Sequence, residues 1–270
     1  MNERFQISAR RACKLAQIVR ATWYYRSQAR DHSALRMRIR DIANSRPRFG
    51  YERITIMLRR EGWDVGRKHV HTLYCLEGLQ LRMRTKRRKC ASLHRGPTPQ
   101  PTGPNQYWAM DFVHDQLADG RKFRVLTVID KWSRESITLE IDFALNGGNV
   151  VAAFERLAKQ RSLPKAITVD NGPEFTSKAL DEWVYQHGIQ LDFIRPGKPV
   201  ENGMIESFNG RLRDECLNAN AFTSIDDVRC KLAAWRTDYN EHRPHGSLGH
   251  LTPREFIRQG QANPSRAAKL

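Results

Sequence analysis

Apolar positions along the chain change period near Tyr107. Before it they recur every three or four residues, the helical spacing; after it, runs that alternate every second residue appear. Ser8 stands where it can cap a helix carrying Ala9, Ala12, Cys13, Leu15 and Ala16, and a short second helix is predicted through Trp23 and Tyr25. Three further helices follow. The first spans about Ser33–Asn44 with Leu35, Ile39 and Ile42 inward. The second spans Tyr51–Arg60 with Ile54, Met57 and Leu58 inward. The third spans Arg67–Glu77 with Val70, Leu73, Tyr74 and Leu76 inward. Gly62 ends the second, and Trp63–Gly66 forms the turn into the third.

From Tyr107, Trp108, Met110 and Phe112 alternate with Ala109, Asp111 and Val113, which predicts a strand reaching about Leu117. Asp119-Gly120 is a hairpin signal, and strands are predicted over Phe123–Ile129 and Ser136–Ile141. A helix over Asn149–Gln160, a strand over Ala166–Val169, a helix over Ser177–His187 and a strand over Gln190–Ile194 complete the alternation. After the loop 195–199 an amphipathic helix begins. Ile205, Phe208, Leu212 and Cys216 form its apolar stripe, beside a polar row of Glu206, Asn209 and Arg213. A last helix is expected over Ser224–Asn240. The order β-β-β-α-β-α-β-α predicts an α/β domain with a ribonuclease-H-like mixed five-stranded sheet, preceded by an all-α helix-turn-helix region.

These elements divide the chain into a partial helix-turn-helix (1–30), a trihelical DNA-binding domain (31–81), a basic proline-rich linker (82–106), a core with its C-terminal helix (107–260) and a tail (261–270). Charge follows the same division. Residues 1–106 hold 24 Lys and Arg against 7 Asp and Glu, whereas residues 107–270 hold 22 of each. The excess of 17 therefore lies wholly in the first part, as expected of a polyanion-binding module joined to a neutral one. Arg67, Lys68 and His71 on the third helix are candidates to enter a DNA groove. Arg84, Lys86, Arg87, Arg88 and Lys89 in the linker are candidates to follow phosphates. A trihelical protein-interaction domain is the alternative. The five cysteines suit free thiols in a reducing compartment, and His69, His71, Cys75 and Cys90 match no common zinc spacing. There is no apolar run near 18 residues and no signal-peptide pattern, which places the chain in the cytoplasm.

Three carboxylates stand out from this frame. Asp111 lies mid-strand in an apolar run, where a charge is costly without a partner. Asp170 ends the fourth strand, and Glu206 opens the amphipathic helix with 35 residues between the two. Clustered carboxylates call for hard divalent cations. Two Mg²⁺ ions, which Mn²⁺ can replace, would suit phosphoryl transfer. Asp130 is expected to cap the turn before Ser133-Arg134, and Asn171 to orient a bound water or cap its own turn. Asn209, Arg213 and Lys198 are candidates to meet a DNA end.

The motifs Trp108-Ala-Met-Asp111, Val128-Ile-Asp130-Lys-Trp-Ser133-Arg134, Thr168-Val-Asp170-Asn171-Gly172, Asn202-Gly-Met-Ile-Glu206-Ser-Phe208-Asn209-Gly210 and Tyr239-Asn240-Glu241-His-Arg243-Pro244-His245 resemble those of second-frame, integrase-core transposases of bacterial two-frame insertion sequences, in the retroviral-integrase superfamily. The resemblance covers nearly the whole chain. It implies a DNA strand transferase that cleaves transposon ends and joins their 3′-hydroxyls to target DNA, with Asp111, Asp170 and Glu206 as the catalytic metal ligands. It implies double-stranded DNA partners (terminal inverted repeats and target), a homo-oligomer on DNA, and the upstream-frame protein as fusion or partner. The incomplete look of the first helix-turn-helix agrees with such a fusion. A ribonuclease-H-like nuclease and a DNA-binding regulator with an inactive core are the alternatives.

Overall fold

A computed structural model describes residues 7–26, 31–81, 101–195 and 202–262. Two short helices, α1 (Ala9–Leu15) and α2 (Arg20–Tyr24), come first, and the Ser8 side chain accepts from the Arg11 N–H as the cap of α1. The trihelical unit follows as α3 (Ser33–Ser45), α4 (Tyr51–Arg60) and α5 (Arg67–Leu76). Leu35, Ile39, Ile42, Ile54, Leu58, Val70, Leu73 and Tyr74 close its core. One expectation here needs correction. Leu76 is 69% exposed, because Val70, Leu73 and Tyr74 define the inward face and a residue six positions after Val70 falls across the helix from it. Met57 faces inward as expected and packs, partly buried, against this cluster.

The second unit is a five-stranded sheet, β1 (Tyr107–Gln116), β2 (Lys122–Asp130), β3 (Ser136–Asp142), β4 (Ala166–Val169) and β5 (Gln190–Phe193), in the order β3-β2-β1-β4-β5. The hairpin-linked strands β1, β2 and β3 pair antiparallel, and β4 and β5 add in parallel. The parallel additions need crossovers, supplied by α6 (Gly147–Ala158) and α7 (Lys178–Gln186). Alternation along β1 sends Trp108 and Met110 to one face, where they pack with Phe154, Ile167, Val169 and Trp183. Ala109 and Val113 go to the other face. There α8 (Gly203–Leu212), which runs into a π turn over Arg213–Leu217, and α9 (Ile225–Glu241) cover β1 and β2 with Ile205, Phe208, Leu212, Leu232 and Tyr239. Cys216 stays buried, although the π turn breaks the predicted helical period before it. Helix α10 (Pro253–Ala262), not foreseen as a separate helix, packs Phe256 on Trp132. No helix among the described residues is long and apolar enough to cross a membrane.

Edge strand β3 would leave its outer backbone groups unpaired. Helix α9 supplies the partners. Asn240 Oδ1 accepts from the Ser136 N–H and its Nδ2 donates to the Ser136 carbonyl, both at 2.9 Å. Arg236 and Arg229 donate to the carbonyls of Ile137 and Ile141 at 3.2 and 3.3 Å.

The trihelical unit docks on the other side of α9. Arg46 pairs with Asp238, Arg48 with Asp214 at 3.3 Å and Arg60 with Glu255 at 2.7 Å. Phe49 is buried at this seam, with the guanidinium groups of Arg46, Arg53 and Arg243 at 5.4, 5.4 and 5.9 Å from its ring. Arg243 in turn forks onto Glu215, with 2.6 and 3.0 Å bonds, which ties the Arg243-Pro244-His245 segment to the π turn after α8.

His245 is buried and its Nε2–H donates to the Tyr239 carbonyl at 3.2 Å. Burial, with Arg243 beside it, pushes its pKa down to about 3. The unfolded value is about 6.5. Stability from the neutral ring is thus complete above the unfolded value and is lost as pH falls toward 3, at up to about 1.4 kcal/mol per pH unit. In His245→Gln, whose amide can donate to the same carbonyl, unfolding free energy measured in denaturant should fall less steeply between those pH values. Parallel curves for variant and wild type would show that His245 does not set the slope.

Candidate active site

The site is built from β1, β4 and α8. Ala109 of β1 pairs with Thr168 of β4, and two residues further on come Asp111, within β1, and Asp170, just past the end of β4. Both therefore emerge on the sheet face that α8 covers, and both are half-buried. Glu206 lies in the first turn of α8 and is exposed. Ile205, Phe208 and Leu212, each buried against the sheet, hold the helix that carries it.

Asp111 is the most constrained of the three. The Phe112 N–H donates to its Oδ1 at 2.7 Å and Asn209 Nδ2 donates to its Oδ2 at 2.8 Å. The hydroxyl of Thr127, the residue opposite Asp111 on β2, lies 2.9 Å from Asn209 Oδ1 and 3.0 Å from the Asp111 carbonyl. This fixes which way the Asn209 amide faces. Burial pushes the Asp111 carboxyl up to about 6, the charges of Asp170 and Glu206 add to the rise, and the two donors oppose it. Asp111 is thus pressed by burial and by two further acids, which is the donor chemistry that a hard divalent ion relieves. Among the described residues no group of three or more His, Cys, Asp and Glu is drawn tightly enough to enclose an ion. The acids converge, but as an open set in which Asn209 occupies one oxygen of Asp111.

Asp170 Oδ1 accepts from the Gly172 N–H at 3.0 Å. A Cβ at residue 172 would come 2.9 Å from that oxygen and 3.2 Å from Glu174 Oε2, so a side chain there would displace the Asp170 carboxylate from its present place. The Asn171 amide donates to the Ile194 carbonyl at 3.1 Å, which ties the loop after β4 to the end of β5. Asp130 caps its turn as expected, accepting from the Ser133 N–H at 2.8 Å and its hydroxyl at 2.6 Å. Beside the acids, Phe175 stacks on Phe112 at 5.0 Å, and Arg124 lies over Phe112 while pairing with Glu174.

Several predicted contact residues have other engagements. Asn209 faces inward to Asp111, because its amide completes the Thr127–Asp111 chain, whereas Arg213 stays exposed at the start of the π turn. Arg67 donates to the Tyr51 hydroxyl at 3.0 Å and pairs with Glu52, and the exposed His71 sets its ring 4.4 Å from Tyr51. Lys68 is exposed on the same helix. Arg84, Lys86, Arg87, Arg88, Lys89 and Lys198 lie outside the described residues. Thr127 went unnoticed in sequence; its one signal is a polar residue inside the apolar run of β2.

The chain is similar to known proteins over most of its length. The family model described as HTH-like domain matches residues 30–87, and two described as Integrase core domain match residues 101–199 and 187–253. An insertion element IS407 protein of 31.7 kDa from Burkholderia multivorans is 41% identical over 269 residues, covering 99% of this chain and 97% of that one. The transposase InsF for insertion sequence IS3A of Escherichia coli K12 is 25% identical, covering 93% and 94%. A chain in the simian T-cell lymphotropic virus intasome in complex with PP2A regulatory subunit B56 gamma superposes with a TM-score of 0.54 at 15% identity. It covers 81% of this chain and 74% of that one, and it shows the shared fold.

The Asn209 amide is expected to act as a support for Asp111. Partners of this kind typically contribute about 10–100-fold to metal affinity or activity. Titration calorimetry with Mg²⁺ should show Asn209→Ala binding more weakly by that factor while its thermal midpoint moves little. Unchanged Mg²⁺ affinity would leave Asn209 a packing residue only.

Proposed function

The chain belongs to the integrase-core transposases of bacterial insertion elements, and we propose that it cleaves the ends of its element and joins them to target DNA through Asp111, Asp170 and Glu206. The observation that carries this reading is the β1–β4 register, which sets two acids abreast under a helix whose first turn holds the third. Cleavage uses one water to break a phosphodiester and leaves a 3′-hydroxyl. Joining uses that hydroxyl to break a second phosphodiester, so one bond replaces another and no external energy source is needed.

The three carboxylates would hold Mg²⁺, as two ions that Mn²⁺ can replace. When bound, such ions activate the attacking oxygen and stabilise the leaving one. Asn209 and the Phe112 N–H keep Asp111 in one rotamer, so its oxygens need no reorganisation when the site is filled. The Gly172 N–H does the same for Asp170. Arg213, exposed two turns beyond Glu206, supports a contact to the DNA end, and Lys68 and its neighbours on α5 support contact with duplex DNA. Transposon ends and target must be held together, which favours a homo-oligomer on DNA, with the upstream-frame protein as fusion or partner. Such a chain would act in the cytoplasm on the chromosome.

With labelled duplexes carrying the element's ends, Asp111→Asn, Asp170→Asn and Glu206→Gln should each lose cleavage and joining by at least about 10³-fold while DNA binding persists. Joining at the wild-type rate by any one of them would sink the assignment. Cleavage without joining by the wild-type chain would make it a nuclease instead, and binding without either reaction would make it a regulator.

A further inference from the structure

Asp111 and Phe112 are neighbours on β1 that point to opposite faces of the sheet. The loop after β4 reaches both faces. Asp170 stays beside Asp111 on the α8 face, whereas Glu174 and Phe175, four and five residues on, close over the Phe112 face. Phe175 is buried and stacks on Phe112 at 5.0 Å, with 18° between the ring planes. Arg124 of β2 holds its guanidinium 4.3 Å from the centre of the same Phe112 ring and forms an ion pair with Glu174. Its Nη1 also donates to the Leu145 carbonyl, just ahead of α6, at 3.4 Å.

The loop is confined on its remaining sides as well. The Phe175 and Thr176 N–H groups donate to the Gly172 carbonyl at 3.0 and 3.2 Å, and the Gly172 N–H donates to Asp170 Oδ1 at 3.0 Å. A Cβ at Gly147, the first residue of α6, would come 2.0 Å from Ser177 Oγ and 3.3 Å from the Glu174 carbonyl oxygen, so the helix start abuts the loop. Arg124 and Glu174 are both half-buried, where salt screens a charge pair less than at the surface. Arg124 holds the Glu174 carboxyl below the usual carboxylate range, which keeps the pair ionised at neutral pH.

We propose that the Arg124–Glu174 pair is a positioning brace: by fixing the loop against Phe112 it sets the spacing of Asp111 and Asp170, and so makes the acids favour Mg²⁺ over larger divalent ions. Neither residue touches the ion; both act through Asp170. Mg²⁺ demands near-ideal octahedral geometry at about 2.1 Å, whereas Ca²⁺ accepts about six to eight oxygens at about 2.3–2.6 Å in looser arrangements. Carboxylates whose spacing is fixed can meet the stricter demand, and carboxylates free to drift suit the more permissive ion. The inference rests on the metal reading of the three acids above.

The test is titration calorimetry of the full chain with Mg²⁺ and, separately, with Ca²⁺, beside thermal melts. Glu174→Ala and Arg124→Ala should each weaken Mg²⁺ binding by about 10-fold and leave Ca²⁺ binding nearly unchanged, so the ratio of the two affinities falls by about the same factor. The double variant should lose no more than either single one, because the two residues act as a unit. Glu174→Gln, whose amide oxygen still accepts from Arg124, should recover part of the Mg²⁺ affinity. If the alanine variants have lost their fold, the Gln variant should show the same shift in ratio to a smaller degree. Equal losses for Mg²⁺ and Ca²⁺ would reduce the pair to support of the loop and overturn the brace. Additive losses in the double variant would overturn its acting as one unit. Wild-type affinities in Glu174→Ala, with Mg²⁺ binding lost in Asp170→Asn, would overturn the brace and leave the metal reading standing. If the wild-type chain binds no Mg²⁺, or Asp170→Asn binds it equally well, the metal reading falls first, and the brace with it.

Discussion

Everything on the α8 side of the sheet answers to one costly placement, a carboxylate in the middle of the central strand. Asp111 is half-buried and flanked by two more acids, and its proton affinity rises accordingly. A strand interior offers a side chain few donors, since its own backbone groups are committed to the ladder. The strand spares it one, the adjacent Phe112 N–H, and the other is an amide 98 residues away on α8. Helix α8 therefore both carries Glu206 and restrains Asp111, and its buried stripe of Ile205, Phe208 and Leu212 anchors both tasks to the same hydrophobic layer. Loosening that stripe would move one acid and release another together.

The layer behind α8 extends the same logic. Helix α9 packs Leu232 and Tyr239 against it and closes the β3 edge through Asn240, Arg236 and Arg229. The π turn after α8 fits one extra residue into the backbone, and Glu215 within it receives the Arg243 fork. One helix thus meets the sheet, the seam and the C-terminal segment, with each contact made through a different face.

Strand alternation made much of this visible in the sequence. Asp111 sits among Ala109 and Val113 on one phase and Trp108, Met110 and Phe112 on the other, so a slip of one residue would drive the acid into the Phe154–Trp183 layer. The phase of β1, and with it the face that Asp111 shares with Ala109 and Val113, is legible for that reason. Periodicity reports which face a residue takes but not what waits on the other side. Asn209 was placed correctly on the row with Glu206, yet its partners Thr127 and Asp111 lie 82 and 98 residues away, and nothing local announces them. The π turn was hidden because the buried Cys216 satisfies the ordinary helical stripe as well. The catalytic assignment of the acids leaned on family motifs as well as on spacing, since an exposed first-turn Glu206 looks like any helix surface.

The charge partition also changes meaning once the fold is known. An excess of 17 confined to residues 1–106 suggests a surface devoted to polyanions. Part of it is instead directed at the protein's own acids: Arg46, Arg48 and Arg60 pair with Asp238, Asp214 and Glu255 across the seam. Exposed pairs of this kind contribute little stability individually, at most about 1 kcal/mol each. Their effect is directional, because they spend basic residues of the trihelical unit on the acids that face it across the seam. The excess counted in the first part therefore overstates the basic surface that it leaves free for a polyanion, since the seam consumes three of its arginines before any outside partner can.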